Sequence, residues 1–326
     1  MMVTQPLRRP LIPAELYKPS LLGTVAFITY AIALCVVPAA LSRMILASFD
    51  SVLLRVVLMT PLTIIAGYGF QLIGFVGHEG LHLSLHRNKI ISILLGLFFA
   101  SSIVTYFEMG FALQHWNHHR FTNQASDADI QAVSHLKTWW QRLLFARATY
   151  NFLYIRRVIR IALGHACSFR YQMPLKAPTV RTLCWINLVL GLFWIGIYAV
   201  ITIYDPLTGL FSIALPMVVT MLISSCQTFI DHAGTSDQLF CNAWSRTSPL
   251  MTAVYFGANY HLEHHLYPGV PCYRLPKVHR LLKDSGIYEK VDAPIESSFF
   301  GSYRRIFSEY KAGTDSSFDP FKLAVE

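Results

Sequence analysis

Residues 78–82 read HEGLH, residues 115–119 read HWNHH and residues 261–265 read HLEHH. These three short clusters hold eight of the 13 histidines, and most of the surrounding sequence is apolar. Imidazole is the commonest metal ligand among side chains and suits iron, copper and zinc alike. The clusters therefore predict a metal site assembled from three separate segments. The candidate ligands are His78, His82, His115, His118, His119, His261, His264 and His265.

The spacing within each cluster is that of one helix face. Residues three and four apart are neighbours on a helix surface. His78 and His82 would therefore project together, and the other two clusters each offer an i, i+3, i+4 set. A single zinc ion takes about four ligands. Eight or nine imidazoles therefore indicate two metal ions.

The ninth candidate ligand is His232, which follows the last long apolar run of the chain. It would lie at the end of a membrane span, level with the clusters, where an ionisable residue usually has a functional role. Other side chains near the clusters could orient the ligands or hold a metal-bound water. These candidates are Glu79, His86, Asp127, Asp129, Asp231 and Asn259.

Three of these candidates, His86, Asp127 and Asp129, have a specific sequence argument. His86 lies four residues after His82, as His82 lies four residues after His78, so on a continued helix it would share their face. Asp127 and Asp129 follow the second cluster, where they could accept hydrogen bonds from histidine N–H groups. A capping or solvated role is an equally good interpretation of the two aspartates. The isolated histidines at positions 135, 165 and 279 are interpreted as surface residues.

The composition points to a membrane protein. Hydrophobic residues make up 54% of the 326 residues and charged residues only 14%, against about 25% charged in a typical soluble domain. A membrane-spanning helix needs about 20 mostly apolar residues. Uncharged runs of about this length occur at residues 19–42, 56–77, 182–204 and 206–230. We therefore predict an all-α integral membrane protein, with four transmembrane helices in a single domain over residues 1–326.

A fifth apolar run, residues 90–107, lies between the first two clusters. If all three clusters bind one metal centre, they must lie on one side of the membrane. Two spans separate the second and third clusters and satisfy this condition, whereas one span between the first and second would not. Residues 90–107 are therefore predicted to be re-entrant, interfacial or bent back.

The net charge of +9 is distributed as a membrane protein requires. With the amino terminus in the cytoplasm, only Arg43 and Arg55 of the 27 Lys and Arg residues lie outside, in agreement with the positive-inside rule. Both termini and all three clusters are then cytoplasmic. Residues 137–181 mix basic and aromatic side chains. This mixture favours helices lying on the anionic headgroup surface over a nucleic-acid interface.

The three clusters resemble the histidine boxes of the membrane fatty acid desaturase superfamily. GHEGLH at 77–82 resembles the first box, HWNHHRFTNQASDAD at 115–129 the second and NYHLEHHLYP at 259–268 the third. His232 is similar to the extra histidine after the fourth span of that family. The resemblance implies a four-span helical fold with a cytosolic cap, in which these histidines bind two iron ions.

The resemblance also implies the chemistry. O2 would be the co-substrate, and the substrate would be a fatty acyl chain of a lipid or of an acyl carrier. No His-Pro-Gly-Gly stretch of a fused haem domain is present, so an external electron donor of the ferredoxin or cytochrome b5 type is expected. The third box begins with His261, whereas front-end desaturases have glutamine there. The expected activity is an oxidoreductase that forms a double bond while reducing O2.

Three other interpretations use the same residues. The third box also occurs in carotenoid ketolases and hydroxylases, so a hydroxylase or ketolase acting on a lipid, an alkane or a carotenoid is the main alternative. HEGLH at 78–82 also fits the HExxH signature of zinc proteases, which leaves the other clusters without a purpose. A metal transporter would bind its cargo near the bilayer midplane, whereas these histidines lie at or beyond the ends of spans.

Overall fold

The computed structural model describes residues 8–104, 106–165 and 174–308, and almost all of their regular structure is helical. The helices are α1 (Leu21–Ser48), α2 (Val52–Leu81), α3 (Lys89–Ala100), α4 (Glu108–Phe121), α5 (Ala128–Val133), α6 (Trp139–Ala162), α7 (Ala177–Tyr204), α8 (Pro206–Gly209), α9 (Leu215–His232), α10 (Pro249–Val254), α11 (His261–Leu266), α12 (Leu275–Asp284) and α13 (Ile287–Val291). Shorter turns of helix cover Ala14–Tyr17, Leu210–Ala214, Cys272–Arg274 and Gly301–Phe307. The strands β1 (Ser245–Arg246) and β2 (Ile295–Glu296) pair in parallel.

Four helical segments are long and apolar enough to cross a bilayer, namely α1, α2, α7 and the continuous segment Pro206–His232. The chain is thus the all-α membrane protein that its composition predicts. α1 and α2 continue through Arg43 and Arg55, which bounded the uncharged runs. Both arginines lie near the turn between these helices, where they find polar partners. Arg43 pairs with Asp205 at 3.3 Å, and Arg55 donates to the carbonyl of Leu46 at 2.9 Å.

The four spans form two hairpins whose open ends lie together. Short turns join α1 to α2 and α7 to α8, and α2 packs along α9. The ion pair between Arg43 and Asp205 links the two closed ends. The open ends carry His78 on α2 and His232 on α9. The histidine clusters therefore assemble at one end of the bundle.

The chain between the first two clusters enters the bundle beside α2 and turns back. α3 has 12 residues, too few to cross the hydrocarbon core. Gly80 of α2 and Gly96 of α3 permit a close approach, because a Cβ added to Gly80 would lie 2.6 Å from the Cα of Gly96. Beyond α3, Ile103 reaches the level of Gly74, and α4 then returns to the end of α2. This path brings the second cluster to the first, while the depth of residues 90–107 in the bilayer stays a prediction.

α6 carries an exposed apolar face, as expected of a helix at a membrane surface. The side chains on this face are Trp139, Trp140, Leu144, Phe145, Phe152 and Ile159. The same helix contains much of the basic region predicted from the sequence. Residues 166–173 of that region lie outside the described residues.

Arg142 of α6 does not face lipid headgroups, and the prediction is wrong for this residue. Its side chain is buried and donates hydrogen bonds to the backbone carbonyls of Leu136, Lys137 and Ile306. Buried carbonyls outside regular structure require donors, and the guanidinium group supplies several at once. Arg142 therefore joins α6 to the carboxyl-terminal part of the cap.

Candidate metal centre

Four helices deliver nine histidines to one place. α2 carries His78 and is capped by His82, and α9 ends at His232. α4 contributes the three histidines of the second cluster and α11 those of the third. Eight of the nine side chains are buried and His119 is half-buried. The structure thus brings together every histidine that the sequence proposed as a ligand.

The first group consists of His78, His82, His115, His119 and His264, whose ligand atoms all lie within 4.8 Å of one another. The Nε2 atom of His115 is 3.0 Å from those of His78 and His119. The Nε2 atoms of His119 and His264 are also 3.0 Å apart. Both ring nitrogens of His82 are buried without a hydrogen-bond partner among the described residues. Five imidazoles thus surround a space suited to one ion.

The second group consists of His118, His232, His261 and His265. The Nε2 atom of His232 lies 3.1 Å from that of His118 and 2.9 Å from that of His261. The Nε2 atoms of His261 and His265 are 3.2 Å apart. The rings of His119 and His265 have centroids 4.3 Å apart, so the two groups are direct neighbours.

Outer hydrogen bonds fix the tautomers of three rings in the second group. In each ring the Nδ1–H donates outward, which leaves an unprotonated Nε2 facing the other histidines. The acceptors are a carboxylate, a backbone carbonyl and a hydroxyl whose own proton goes to the carbonyl of His118. The pairs are His118 with Asp127 at 2.8 Å, His232 with the carbonyl of Asn242 at 2.9 Å and His265 with Thr122 at 3.2 Å.

This arrangement fits a bound cation. Unprotonated nitrogens facing each other at about 3 Å repel unless a positive ion lies between them, and ligand nitrogens about 2.1 Å from one ion are about 3 Å apart. Burial also lowers the pKa of most ligand rings, which keeps them in the neutral form that binds metal. The rings with a lowered pKa outside the spans are His82, His115, His119, His261, His264 and His265.

His118 is the exception among these rings. Burial acts to lower its pKa, but the carboxylates of Asp127, Asp129 and Asp231, with Asp127 contributing most, together outweigh that effect, and the pKa of His118 is raised. Asp127 also caps α5 by accepting the backbone N–H groups of Asp129 and Ile130. Both roles weighed from the sequence, capping and orienting a ligand, are therefore combined in one carboxylate.

Three further carboxylates lie near the outward-facing Nδ1 atoms of candidate ligands. The Nδ1 atom of His78 is 3.5 Å from Glu79, that of His115 is 3.8 Å from Asp129 and that of His261 is 4.0 Å from Asp231. These separations are longer than hydrogen bonds. The three carboxylates therefore contribute mainly negative potential around the histidine groups.

Two of these carboxylates, Glu79 and Asp231, also have structural partners. Glu79 accepts hydrogen bonds from the Ser84 hydroxyl and the backbone N–H of Cys272, at 2.7 and 2.9 Å. Asp231 pairs with the buried Arg246 at 3.2 Å. These contacts fasten the ends of α2 and α9, which carry ligands, to the carboxyl-terminal part of the cap.

The sequence profile of the fatty acid desaturase family matches residues 55–298. The chain belongs to this family. The matched segment contains all nine histidines, and the resemblance seen in the histidine boxes is thereby confirmed. A curated relative, the Delta(5) fatty acid desaturase fat-4 of Caenorhabditis elegans, is 24% identical over 276 residues. That alignment covers 76% of this chain and 62% of the relative.

Sequence reasoning missed one buried network of this fatty acid desaturase family member. Glu263 lies between two ligands of the third histidine box. Its carboxylate accepts hydrogen bonds from the hydroxyls of Ser245 and Tyr288 and, at 2.6 Å, from the Nδ1–H of His279. The available signal was the position of Glu263 on a short helix of buried ligands, because a buried carboxylate needs donors.

His279 is buried, so the prediction that it lies at the surface is wrong. α12 packs against α11, which turns His279 toward Glu263. An isolated histidine carries no periodic signal in the sequence, so only this helix contact reveals its role. Together with Glu263, it holds α11 in place and thereby the three histidines of the third histidine box, which are candidate ligands.

His86 and Asn259 differ from the ligands. α2 ends at Leu81, so the predicted shared helix face is wrong for His86, whose Nδ1 accepts the backbone N–H of Asn88 at 2.9 Å. The side-chain amide nitrogen of Asn259 donates to the carbonyl of Arg246. Its Oδ1 is buried without a hydrogen-bond partner among the described residues. Asn259 therefore has a structural contact, and its role toward a metal-bound water stays a prediction.

A cavity adjoins both histidine groups of the family site. Five ligands form one wall, namely His78, His115, His118, His232 and His261. The aromatic rings of Phe75 and Phe111 and the side chain of Ile103 form part of the remaining wall. A substrate in this cavity would contact both histidine groups directly.

Proposed function

We propose that the chain is an O2-dependent di-iron membrane desaturase, which introduces a double bond into a fatty acyl chain of a lipid or of an acyl carrier. The observation that carries this proposal is the convergence of nine imidazoles into two adjacent groups at one wall of a cavity. Membership of the fatty acid desaturase family supports the same activity. The curated relative from Caenorhabditis elegans is itself named a Delta(5) fatty acid desaturase.

The two histidine groups would each hold one iron ion, with five ligands in the first group and four in the second. When bound, the iron ions supply redox chemistry, in which two electrons from a donor, two protons and two C–H hydrogens reduce O2 to two waters and leave a C=C bond. Imidazole alone suits iron, copper and zinc. The choice of iron therefore rests on the family.

The chain's own residues orient the ligands and keep water out. Asp127 holds His118 with its Nε2 atom inward, and the carbonyl of Asn242 does the same for His232. Phe75 and Phe111 enclose the cavity beside the histidines, which shields a bound acyl segment from water. Because ligands and cavity walls sit on the same packed helices, the protein determines which carbon approaches the histidine groups.

A membrane hydroxylase or ketolase acting on a lipid, an alkane or a carotenoid is the second candidate. It would use the same nine histidines and differ only in the product. The observation that favours it is the polar character of part of the cavity wall, including Gln71 and Ser224. Such a wall suits a product or substrate that carries oxygen.

The other interpretations receive less support. A zinc protease of the HExxH type needs its glutamate as a general base, but Glu79 is buried and accepts hydrogen bonds from Ser84 and Cys272. A transporter would bind metal midway through its spans, whereas His78 and His232 lie at span ends. Both observations favour the redox enzyme.

We also propose that the histidine groups face the cytoplasm, where an external donor of the ferredoxin or cytochrome b5 type would dock. The excess of Lys and Arg on that side supports this orientation. The apolar face of α6 would then lie in the headgroup region of the same leaflet. Both termini are predicted to be cytoplasmic, but residues 1–7 and 309–326 lie outside the described residues.

Expression in a desaturase-deficient host, followed by lipid mass spectrometry, tests the proposed function. The wild-type chain should yield acyl products lighter than their precursors by two mass units. His118→Ala and His264→Ala, one from each histidine group, should abolish these products while the protein still inserts into the membrane. The exposed His135 provides the control, because His135→Ala should retain activity.

Three other results would count against this reading. Products heavier by sixteen mass units would favour the hydroxylase, and those heavier by fourteen the ketolase. Wild-type activity in either ligand variant would refute the assignment of that histidine group.

A further inference from the structure

The cavity beside the histidines has a polar wall within the membrane bundle. On α9 this wall is formed by Thr220, Ser224, Gln227, Thr228 and Asp231, which recur three and four residues apart along one helix face. Polar side chains inside a membrane span are unfavourable and usually serve a function. Pockets for hydrocarbon are lined mainly by apolar side chains with few polar groups. Thr220, Ser224 and Gln227 already hydrogen-bond to groups of the protein, so a hydrogen bond to a molecule in the cavity has to come from another group of this lining.

Gln71, on α2, has an unused hydrogen-bond donor at this wall. The residue is only 8% exposed and lines the cavity. Its Oε1 accepts a hydrogen bond from the Ser224 hydroxyl. No hydrogen bond joins its Nε2 to an acceptor in the part of the chain that the structure describes. Two N–H bonds are thus available to a molecule in the cavity.

Arg147 adds positive charge to the same cavity. Its guanidinium group lies over the rings of Tyr106 and Tyr154, 4.5 and 5.8 Å from their centroids. Among the described residues it forms no ion pair with a carboxylate. Its backbone N–H donates to the hydroxyl of Ser225, which places α6 beside the Ser224 level of α9. The carboxylates of Asp129 and Asp231 line the same cavity and offset this charge, so the unused amide donor of Gln71 is the feature that favours an electron-rich oxygen here.

We propose that the substrate carries a hydroxyl or carbonyl oxygen along its chain and that Gln71 donates a hydrogen bond to that oxygen. This inference rests on the proposed desaturase function. A plain hydrocarbon segment would displace water and leave the Gln71 amide without a partner, which is unfavourable. A chain oxygen restores the lost hydrogen bond. Gln71 is therefore a specificity-determining residue, and the substrate class is an oxygenated acyl chain.

The helix geometry places this oxygen away from the reacting bond. Gln71 precedes His78 by about two helical turns, or roughly 10 Å along the axis of α2. The oxygen and the carbons that react are therefore separated by several methylene groups. Only some positions of the oxygen along the chain should let it reach Gln71 while the reacting carbons lie at the histidine groups.

Equilibrium binding to the purified, iron-loaded protein tests this inference. The probes are methyl stearate and a series of methyl hydroxystearates and methyl oxostearates, with the oxygen at successive carbons. Methyl esters are used because they carry no carboxylate that could compete for Arg147. Displacement of a fluorescent acyl probe should show at least one isomer binding about tenfold more tightly than methyl stearate, as one added hydrogen bond predicts.

Two variants and a control assign this preference to the amide. Gln71→Leu keeps the size of the side chain and should reduce the preferred isomer to the affinity of methyl stearate. Ser224→Ala frees the amide to rotate and should reduce the preference a few-fold, which covers the case in which Gln71→Leu does not fold. Thr60→Val, at an exposed position of the same helix, should retain the full preference.

Equal binding of every isomer and of methyl stearate to the wild type would overturn the inference, because the polar wall would then hold only water. A preference that survives in both Gln71→Leu and Ser224→Ala would overturn the role of Gln71. Binding does not require turnover, so the two proposals fail separately. A chain that prefers oxygenated probes but forms no double bond refutes the desaturase function alone.

Discussion

Replacing Asp127 with asparagine separates the two tasks of this carboxylate. Asp127 is fully buried and accepts the Nδ1–H of His118 at 2.8 and 3.0 Å. It also accepts backbone N–H groups from Asn123 and from Asp129 and Ile130 at the start of α5. Asparagine keeps one oxygen for the N–H groups of Asp129 and Ile130, since Asn and Asp cap helices about equally well, but its amide nitrogen replaces the oxygen that accepts the N–H of Asn123. It removes the negative charge that faces His118.

The expected effect falls mainly on metal binding. Loss of an outer partner of a ligating histidine typically lowers metal affinity about 10- to 100-fold, which corresponds to about 1.4–2.7 kcal/mol. The pKa of His118 should also fall, because burial lowers it and Asp127 is the main group that raises it. The cap of α5 is retained, but the buried N–H of Asn123 left without its acceptor should lower the unfolding free energy by about 1–3 kcal/mol.

Competition with an iron chelator measures the affinity of both sites in Asp127→Asn. One iron, bound by the group that contains His118, should be weakened, while the other keeps its wild-type affinity. Asp127→Ala should weaken the same iron and lower the unfolding free energy by about 1 kcal/mol more than Asp127→Asn does, because the cap is lost as well. The exposed Asp237 provides the control Asp237→Asn. Wild-type affinity for both ions in Asp127→Asn would refute the reasoning.

Two further predictions concern packing and support. Gly80→Ala places a Cβ 2.6 Å from the Cα of Gly96, so α2 and α3 must separate, and thermal unfolding should show a loss of about 1–3 kcal/mol. Gly196→Ala, with no described atom within 4 Å, should be neutral or stabilising, and an equal loss there would contradict the packing argument. Glu263→Gln should lower the unfolding free energy by about 1–3 kcal/mol for each hydrogen bond left unmade. Unchanged stability and iron content in that variant would show that the contact with His279 does not support α11.

The sequence predicts the ligands and the spans because both depend on local patterns. Histidines three and four apart lie on one helix face wherever a helix forms, and uncharged runs of about 20 residues form spans whatever they contact. The path of residues 90–107 follows from requiring all clusters on one side. That prediction did not depend on Gly80 and Gly96, which allow α2 and α3 to approach each other closely.

The division of the histidines between two groups was within reach of the sequence. Each residue of a helix is rotated about 100° from the one before, so an i, i+4 pair shares a face more closely than i+3 does. His115 and His119 accordingly enter the first group and His118 the second. In the third cluster His261 and His265 belong together, while His264 joins the first group.

Contacts between distant segments could not be predicted, because they depend on packing in three dimensions. Glu79 reaches Cys272, and Glu263 reaches His279 through the contact between α11 and α12. Because α2 ends at Leu81, His86 does not share a helix face with His78 and His82 as the sequence predicts. None of these outcomes has a local periodic signal in the sequence.

Metal analysis of the purified wild-type protein tests the central claim most directly. Two histidine groups with five and four ligands predict two iron atoms per chain, and one of them should be lost in His265→Ala while the first group keeps its iron. One zinc per chain without iron, or a single iron lost completely in that variant, would contradict two separate sites.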